Sequence, residues 1–175
     1  MSNCRMTKAL ELINLVKPRE AESIFKDCCG SAKWASRMTA SRPFASESEL
    51  IDKAANIWND LEPEDWLEAF SAHPKIGETK AAPIQQQRSA EWSAGEQAGM
   101  ISADDMLRQE LADANREYVE KLGFIFIVCA TGKSANEMLE LCRARISNDR
   151  KTEIAIAARE QQKITEIRLK KLLLM

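Results

Sequence analysis

The sequence feature that most constrains the fold is a long stretch of helical periodicity over residues 149–173. Positions three and four residues apart lie on one face of a helix, because a helix has about 3.6 residues per turn. Apolar residues fall near one such stripe at Ile154, Ala157, Ile164, Ile167 and Leu172. The pattern therefore predicts one long final helix with a buried apolar face.

Helical signals also dominate the rest of the chain, which only six glycines and five prolines interrupt. Two serine–glutamate pairs have the spacing of a capping box, which marks a helix N-terminus. They are Ser46 with Glu49 and Ser134 with Glu137. Further helices are predicted over residues 7–16, 19–27 and 101–121, and from Pro63 onward. We expect an all-α fold of about eight helices, a single compact domain over residues 1–175 that is not a simple bundle.

Two stretches lack helical character. Residues 72–92 contain HPKIGE followed by a polar run, and residues 123–129 are rich in aromatic and β-branched side chains. We expect the second stretch to be a short, buried extended segment. It either only packs in the core or also offers its backbone N–H and C=O groups, which need partners, to a planar ligand with ureido-type groups.

Composition excludes several classes of function. The formal net charge is −2, and no basic block of the kind that binds nucleic acid is present. Five cysteines without a CxxC motif and a single histidine do not make a zinc site, and they fit a reducing, cytoplasmic environment. The longest apolar run, residues 124–130, is too short to cross a membrane, and we expect no signal peptide. We therefore expect a cytoplasmic protein that binds a small molecule, without a metal.

The single histidine, His73, is the first candidate for chemistry. An imidazole is a natural general acid or base near neutral pH. Pro74 disfavours helical backbone at the preceding residue, and Gly77 favours a turn just beyond. We expect His73 at a rigid corner between a helix and a loop, either as a catalytic group or only as a cap of helix carbonyls.

The stretch SAGEQAG, residues 93–99, is the second candidate. Ser93 and Glu96 have capping-box spacing, so Glu96 either caps its own helix or faces a ligand. In the second case Glu96 and Gln97 would present hydrogen-bonding groups at a helix N-terminus.

Arg168 is the third candidate, because it lies on or beside the apolar stripe of the final helix. A buried guanidinium needs an anionic partner. That partner is either a carboxylate of the protein or a carboxylate of a ligand.

The order of the motifs and the residues within them resemble those of a known family, from about residue 8 to residue 173. The matching stretches are CCGSAKWA (28–35) with RPF (42–44), HPKIGE (73–78), SAGEQAGM (93–100), YVEKLGFIFIVCATG (118–132) and RISND with KITEIRLKKLL (within 145–173). In this series the chain resembles the 2-oxo-4-hydroxy-4-carboxy-5-ureidoimidazoline (OHCU) decarboxylases of urate degradation. Two departures are Ile125, where many relatives have proline, and Lys133 after Thr131-Gly132, where some relatives carry an arginine nearby.

The resemblance implies a carboxy-lyase with an all-α fold that converts OHCU to (S)-allantoin without a cofactor. It implies catalytic roles for His73, Glu96 and Arg168, with Arg159 in reserve for the arginine. Substrate contacts are implied for Pro74, Ser93 and Gln97, and for the segment Phe126, Ile127, Val128 and Cys129. It also implies functional coupling to urate oxidase and 5-hydroxyisourate hydrolase, and it leaves the oligomeric state open, a homodimer included.

Two other interpretations stay open at this point. A non-catalytic all-α protein that binds a small ligand would use His73 and Glu96 only as caps. A hydrolase would pair His73 with a cysteine such as Cys129, but an apolar setting raises the pKa of a thiol and makes it a poor nucleophile.

Overall fold

The computed structural model describes residues 7–75, 87–96, 103 and 105–175. Within these ranges the chain is helical and contains no strand, which confirms the all-α prediction. The helices are α1 (Lys8–Leu15), α2 (Pro18–Cys29), α3 (Ala32–Ala40), α4 (Glu47–Asn59), α5 (Pro63–Ser71), α6 (Gln87–Glu96), α7 (Asp105–Leu122), α8 (Ala135–Ile146) and α9 (Arg150–Leu173). In the described part of the chain, no helix is long and apolar enough to cross a membrane.

Helix starts follow the local chemistry of the sequence. The hydroxyl of Ser46 accepts from the N–H of Glu49 at the start of α4. Ser134 and Glu137 form a reciprocal capping box at the start of α8, and Pro63 is the first residue of α5. The serine hydroxyls accept from backbone N–H groups that lack a partner within the helix, and a proline at the first helical position has no N–H that needs one.

Helix α9 is the central element of the fold. It packs against α1, α2, α4 and α5, and its buried face includes Ile154, Ala157, Ile164 and Leu172. The indole N–H of Trp58 donates to the carbonyl of Ala158 at 2.9 Å, which fixes α4 against α9. The predicted long final helix is therefore confirmed.

The segment after α7 leaves the helical path at Gly123, whose positive φ of 79° suits a residue without a side chain. Residues 125–130 are neither helix nor strand, and all except Ile125 are buried. This confirms the short buried segment that the sequence predicts near residues 123–129.

Two expectations about the middle of the chain are wrong. Residues 72–92 are not wholly non-helical, because α6 begins at Gln87. Ser93 and Glu96 do not cap a helix N-terminus, because both lie in the last turn of α6. The spacing of three residues that suggested a capping box also places two side chains on one face of a helix interior.

Candidate functional site

A small cleft lies between α5, α6, α9 and the buried segment 125–130. It is lined by His73, Pro74, Ser93, Glu96, Phe126, Ile127, Val128, Ala130 and Ile164. Seven of these residues are candidates from the sequence. The sequence did not indicate Ala130 or Ile164, since each looks like an ordinary core residue.

His73 lies where the sequence places it, just beyond the end of α5. Its backbone N–H donates to the carbonyl of Phe70 at 3.1 Å, and the ring is partly buried against the cleft. On the other side of the ring, Nε2 lies 2.7 Å from Oε1 of Gln161 on α9. The imidazole is thus held between a helix end and the central helix.

Burial lowers the pKa of His73 to about 3. The positive charge of Arg168 contributes to this lowering, and the hydrogen bond between His73 and Gln161 opposes it. A neutral imidazole has one protonated and one unprotonated nitrogen. Near neutral pH the ring therefore carries a lone pair that can accept a proton.

Glu96 and Arg168 form a buried ion pair beside the cleft. Nε of Arg168 donates to Oε1 of Glu96 at 2.9 Å, and Nη2 donates to Oε2 at 2.8 Å. Nη2 also donates to the hydroxyl of Ser93 at 3.0 Å, and Nη1 donates to the carbonyl of Asp27 at 3.4 Å. Such a bidentate pair is specific to the planar guanidinium and fixes the orientation of the carboxylate.

The partner of Arg168 is therefore a carboxylate of the protein. The sequence left this alternative open beside a ligand carboxylate. Arg159, held in reserve, is exposed and donates from Nε to the carbonyl of Ala155. Of these two arginines, only Arg168 contacts a residue that lines the cleft.

Side chains from two helices hold the backbone of the segment that forms one wall of the cleft. The N–H of Phe126 donates to Oδ1 of Asn115 at 3.0 Å. The carbonyl of Ile127 accepts from Nη1 of Arg145 at 2.9 Å, and the same guanidinium lies 4.7 Å from the centre of the Phe126 ring. These contacts fix the wall before any ligand binds.

Cys129 belongs to this segment but is not among the residues that line the cleft. Its N–H donates to Oε2 of Glu160 at 2.8 Å, and its carbonyl accepts from Nζ of Lys133 at 2.7 Å. Burial raises the pKa of its thiol. Both findings argue against a hydrolase that pairs Cys129 with His73.

Ile127 and Val128 present the part of the wall that remains available. Both residues line the cleft, and no hydrogen bond among the described residues uses the N–H group of either one. Buried N–H groups need an acceptor. These two N–H groups are therefore available to donate to a polar ligand, as the sequence predicts for this segment.

Two further points concern the predicted site. Gln97 and residues 76–78 of the HPKIGE motif lie outside the described residues. In the part of the chain that is described, no group of three or more His, Cys, Asp or Glu side chains is arranged to hold a metal ion.

The described residues form an all-α protein with a small, partly open cleft lined by polar and apolar side chains. The model of the OHCU decarboxylase family matches residues 14–170, which is most of the chain. The chain therefore belongs to the OHCU decarboxylase family, and the resemblance that the motifs carry is confirmed.

Individual relatives agree with this assignment. The chain is 42% identical over 152 residues to the uric acid degradation bifunctional protein TTL of Arabidopsis thaliana, covering 86% of this chain and 47% of that protein. It thus spans about half the length of that relative. It is 26% identical over 161 residues to the 2-oxo-4-hydroxy-4-carboxy-5-ureidoimidazoline decarboxylase of Haloferax volcanii, covering 91% of this chain and 93% of that one.

A solved structure is also similar. It is described as an OHCU decarboxylase in the presence of (S)-allantoin. The match has a TM-score of 0.76 at 39% identity, and it covers 91% of this chain and 100% of the other.

Proposed function

We propose that this chain decarboxylates OHCU to (S)-allantoin in urate degradation, as a carboxy-lyase. The observation that carries the proposal is the cleft, which brings the imidazole of His73 and the Arg168-bound carboxylate of Glu96 against a polar backbone wall. These groups come from distant parts of the sequence and converge on one small volume. Family membership supplies the substrate class.

The substrate's own chemistry explains what the site has to supply. OHCU carries a carboxylate and a hydroxyl on one ring carbon, and the neighbouring carbon bears the ureido group and is part of a C=N bond. When the carbon–carboxylate bond breaks, its electron pair can move into a new C=C bond while the C=N electrons move onto nitrogen. The substrate is thus its own electron sink, and the protein has to orient it and move protons.

The proton balance defines the tasks of the acid and base. The ring nitrogen and the ureido-bearing carbon each gain one proton, and the hydroxyl loses one as it becomes a carbonyl. One proton is therefore taken up for each carbon dioxide released. Protonation of the carbon on one face gives a single enantiomer, which requires a donor held at a fixed position.

His73 is proposed to accept the hydroxyl proton and to deliver a proton to the intermediate. Its low pKa keeps the ring neutral before the reaction, so one ring nitrogen carries a lone pair that can accept a proton. Acid–base groups held in this way contribute about 10²–10⁴-fold to the rate, and orientation adds to this.

Glu96 is proposed to share the hydroxyl with His73. Arg168 holds the Glu96 carboxylate in one orientation through two hydrogen bonds. Its guanidinium also places positive charge near the cleft, which favours an anionic substrate. We also propose that the guanidinium of Arg168 contacts the carboxylate of the substrate.

The backbone of Ile127 and Val128 is proposed to bind the ureido arm, together with Pro74, Ser93 and Gln97. Phe126 and Cys129 are proposed to shape this wall. A cytoplasmic location, a homodimer and functional coupling to urate oxidase and 5-hydroxyisourate hydrolase also remain proposals. The name of the bifunctional relative in Arabidopsis thaliana supports a urate degradation context.

The test is an assay in which OHCU is generated in place from urate by the two upstream enzymes. Circular dichroism then follows the formation of (S)-allantoin. We expect fast, enantioselective turnover by the wild-type chain and nearly complete loss in His73→Asn. Arg159→Gln is the matched control, because Arg159 is exposed and does not line the cleft, and it should keep wild-type turnover.

Two outcomes would contradict the proposal. Turnover no faster than the spontaneous reaction would contradict the proposed activity. Wild-type rates in His73→Asn would contradict the assignment of His73 to the active site. If turnover is absent but allantoin stabilises the fold, the chain is a ligand-binding protein. A ligand at 100 times its dissociation constant adds about 2.7 kcal/mol of stability, which a thermal unfolding experiment detects.

A further inference from the structure

We propose that Gln161 is a positioning residue that fixes the proton of His73 on Nε2, so that Nδ1 is the nitrogen that exchanges protons with the substrate. The second half of this inference rests on the proposed function of His73. The first half concerns the resting protein and can be tested without turnover.

The surroundings of Gln161 determine which way its amide faces. The side chain is completely buried on α9. Its Nε2 lies 3.4 Å from the carbonyl of Cys29 and 3.2 Å from the hydroxyl of Thr165. A carbonyl can only accept, so the atom that faces Cys29 is the amide nitrogen. The amide oxygen is therefore the atom that faces His73.

The orientation of this amide sets the tautomer of His73. An amide oxygen can only accept, so at 2.7 Å the Nε2 of His73 must donate. Burial and the charge of Arg168 both oppose a second proton on the ring. The ring is then neutral, with its lone pair on Nδ1. The hydrogen bond made by one ring nitrogen thus decides which nitrogen is available for chemistry.

A purely structural role would also explain a buried glutamine between α2 and α9. The two roles differ in what they predict. If Gln161 only fills space and satisfies Cys29, its loss lowers stability and leaves the histidine tautomer unchanged. If Gln161 positions the proton, its loss mixes the tautomers and lowers kcat more than it raises KM.

The first experiment uses the fact that the chain has a single histidine. Protein labelled with ¹⁵N only in histidine gives the signals of one imidazole, and NMR correlations from the ring carbons' protons distinguish a protonated from an unprotonated nitrogen. We expect the wild type to show Nε2–H alone. Gln161→Met, which has a similar volume but no oxygen, should show both tautomers.

Gln162→Met is the matched control. It makes the same change at the next position, where the side chain is half-buried beside Trp58 and away from the cleft. We expect it to keep the wild-type tautomer. A wild-type ring protonated on Nδ1, or an unchanged Nε2–H tautomer in Gln161→Met, would overturn the inference. If Gln161→Met does not fold, the wild-type spectrum still decides whether the proton lies on Nε2, and a proton on Nδ1 overturns the inference.

Kinetics separate this inference from the proposed function. In the OHCU assay, Gln161→Met should lower kcat by about tenfold or more, as part of the general acid–base contribution, and change KM little. Gln161→Glu keeps an acceptor but adds a negative charge, so it should restore the Nε2–H tautomer and move the acid limb of the pH profile to higher pH. If the wild type is inactive but shows the Nε2–H tautomer, only the claim that Nδ1 exchanges protons with the substrate is wrong. If the wild type is active but its tautomer does not depend on Gln161, this inference is wrong and the proposed function still holds.

Discussion

Arg168 holds both carboxylate oxygens of Glu96, a residue 72 positions earlier in the chain, at 2.9 and 2.8 Å. Both residues are almost fully buried, with side-chain exposures of 4% and 8%. The pair joins the last turn of α6 to the central helix α9. A residue on the rim of the cleft is thus oriented by a helix that belongs to the core.

Removing one member of this pair should be far more damaging than removing both. Arg168→Met leaves the Glu96 carboxylate buried without its two guanidinium hydrogen bonds, which Nζ of Lys171 at 4.0 Å does not replace, and should cost about 3–5 kcal/mol of unfolding free energy. The double variant Arg168→Met with Glu96→Gln removes the uncompensated charge, so it should recover a large part of that loss. Urea denaturation of the two single variants and the double variant measures the coupling.

Arg143→Met is the control for this cycle. Arg143 pairs with Glu110 at 2.9 Å, but both side chains are exposed, so its loss should cost no more than about 1 kcal/mol. Equal losses in Arg143→Met and Arg168→Met would contradict the importance of burial.

Stability should fall at mildly acidic pH because of His73. Its pKa is about 3 in the folded protein and about 6.5 in an unfolded chain. Between these values the unfolded state binds the extra proton, so stability decreases as the pH falls through this window. The slope from this one group is at most about 1.4 kcal/mol per pH unit.

His73→Asn isolates this effect, because it removes the titrating ring and leaves the other ionisable groups. We expect the difference in unfolding free energy between wild type and variant to change between about pH 7 and pH 5, with the wild type losing stability faster. A difference that stays constant over this range would show that His73 has the same pKa in the folded and unfolded states.

We predict that Gly30 does not tolerate a larger residue, because it lies against the backbone that carries His73. It ends α2 with φ of 92°, and a Cβ at this position would lie 2.7 Å from the Cβ of Ala72, the residue before His73. Gly30→Ala should therefore combine a left-handed backbone cost of about 1–2 kcal/mol with an overpacking cost of about 1–3 kcal/mol. It should also lower kcat, because it displaces the backbone that carries His73.

Gly132→Ala separates the two costs. Gly132 has a similar φ of 80°, but a Cβ there would meet no atom of the described residues within 4 Å. It should show only the backbone cost in thermal or urea unfolding. Equal destabilisation by both substitutions would mean that the close approach to Ala72 is relieved without cost.

Tyr118 should matter for stability and little for chemistry. Its hydroxyl donates to Oε1 of Glu153 at 2.6 Å, and Glu153 is fully buried beside Arg145. Hydrogen bonds to charged groups contribute about 1.5–3 kcal/mol, so Tyr118→Phe should lower Tm by about 3–12 °C. Tyr118 does not line the cleft, so kcat should stay near the wild-type value, and a large loss of kcat with an unchanged Tm would contradict this role.

The sequence predicts elements whose causes are local. Ser46, Pro63 and Ser134 specify helix starts through groups only a few residues away, and the apolar period predicts α9. No local pattern predicts helix α3, and the sequence predicts a non-helical stretch over residues 72–92, where α6 begins. For α6 the stabilising contacts are distant ones, since Arg88 lies 3.5 Å from Asp27 and Glu96 binds Arg168.

The candidate site shows the same division. His73 was predictable because a lone histidine before a proline is unusual within 175 residues. Gln161 was not predictable, because a glutamine in a polar run looks like a surface residue. It is buried only because α9 packs against α2, near the carbonyl of Cys29. The partner of Arg168 stayed open for the same reason.

Helix α9 also limits how the length of the chain can vary. Gln161, Ile164 and Arg168 face the site from one helix, at intervals of three and four residues. Each added or deleted residue rotates the following part of a helix by about 100°. One insertion between Gln161 and Arg168 would therefore break either the contact with His73 or the contact with Glu96. Insertions and deletions among relatives should fall in the loops and spare this interval, whatever residues occupy its exposed positions.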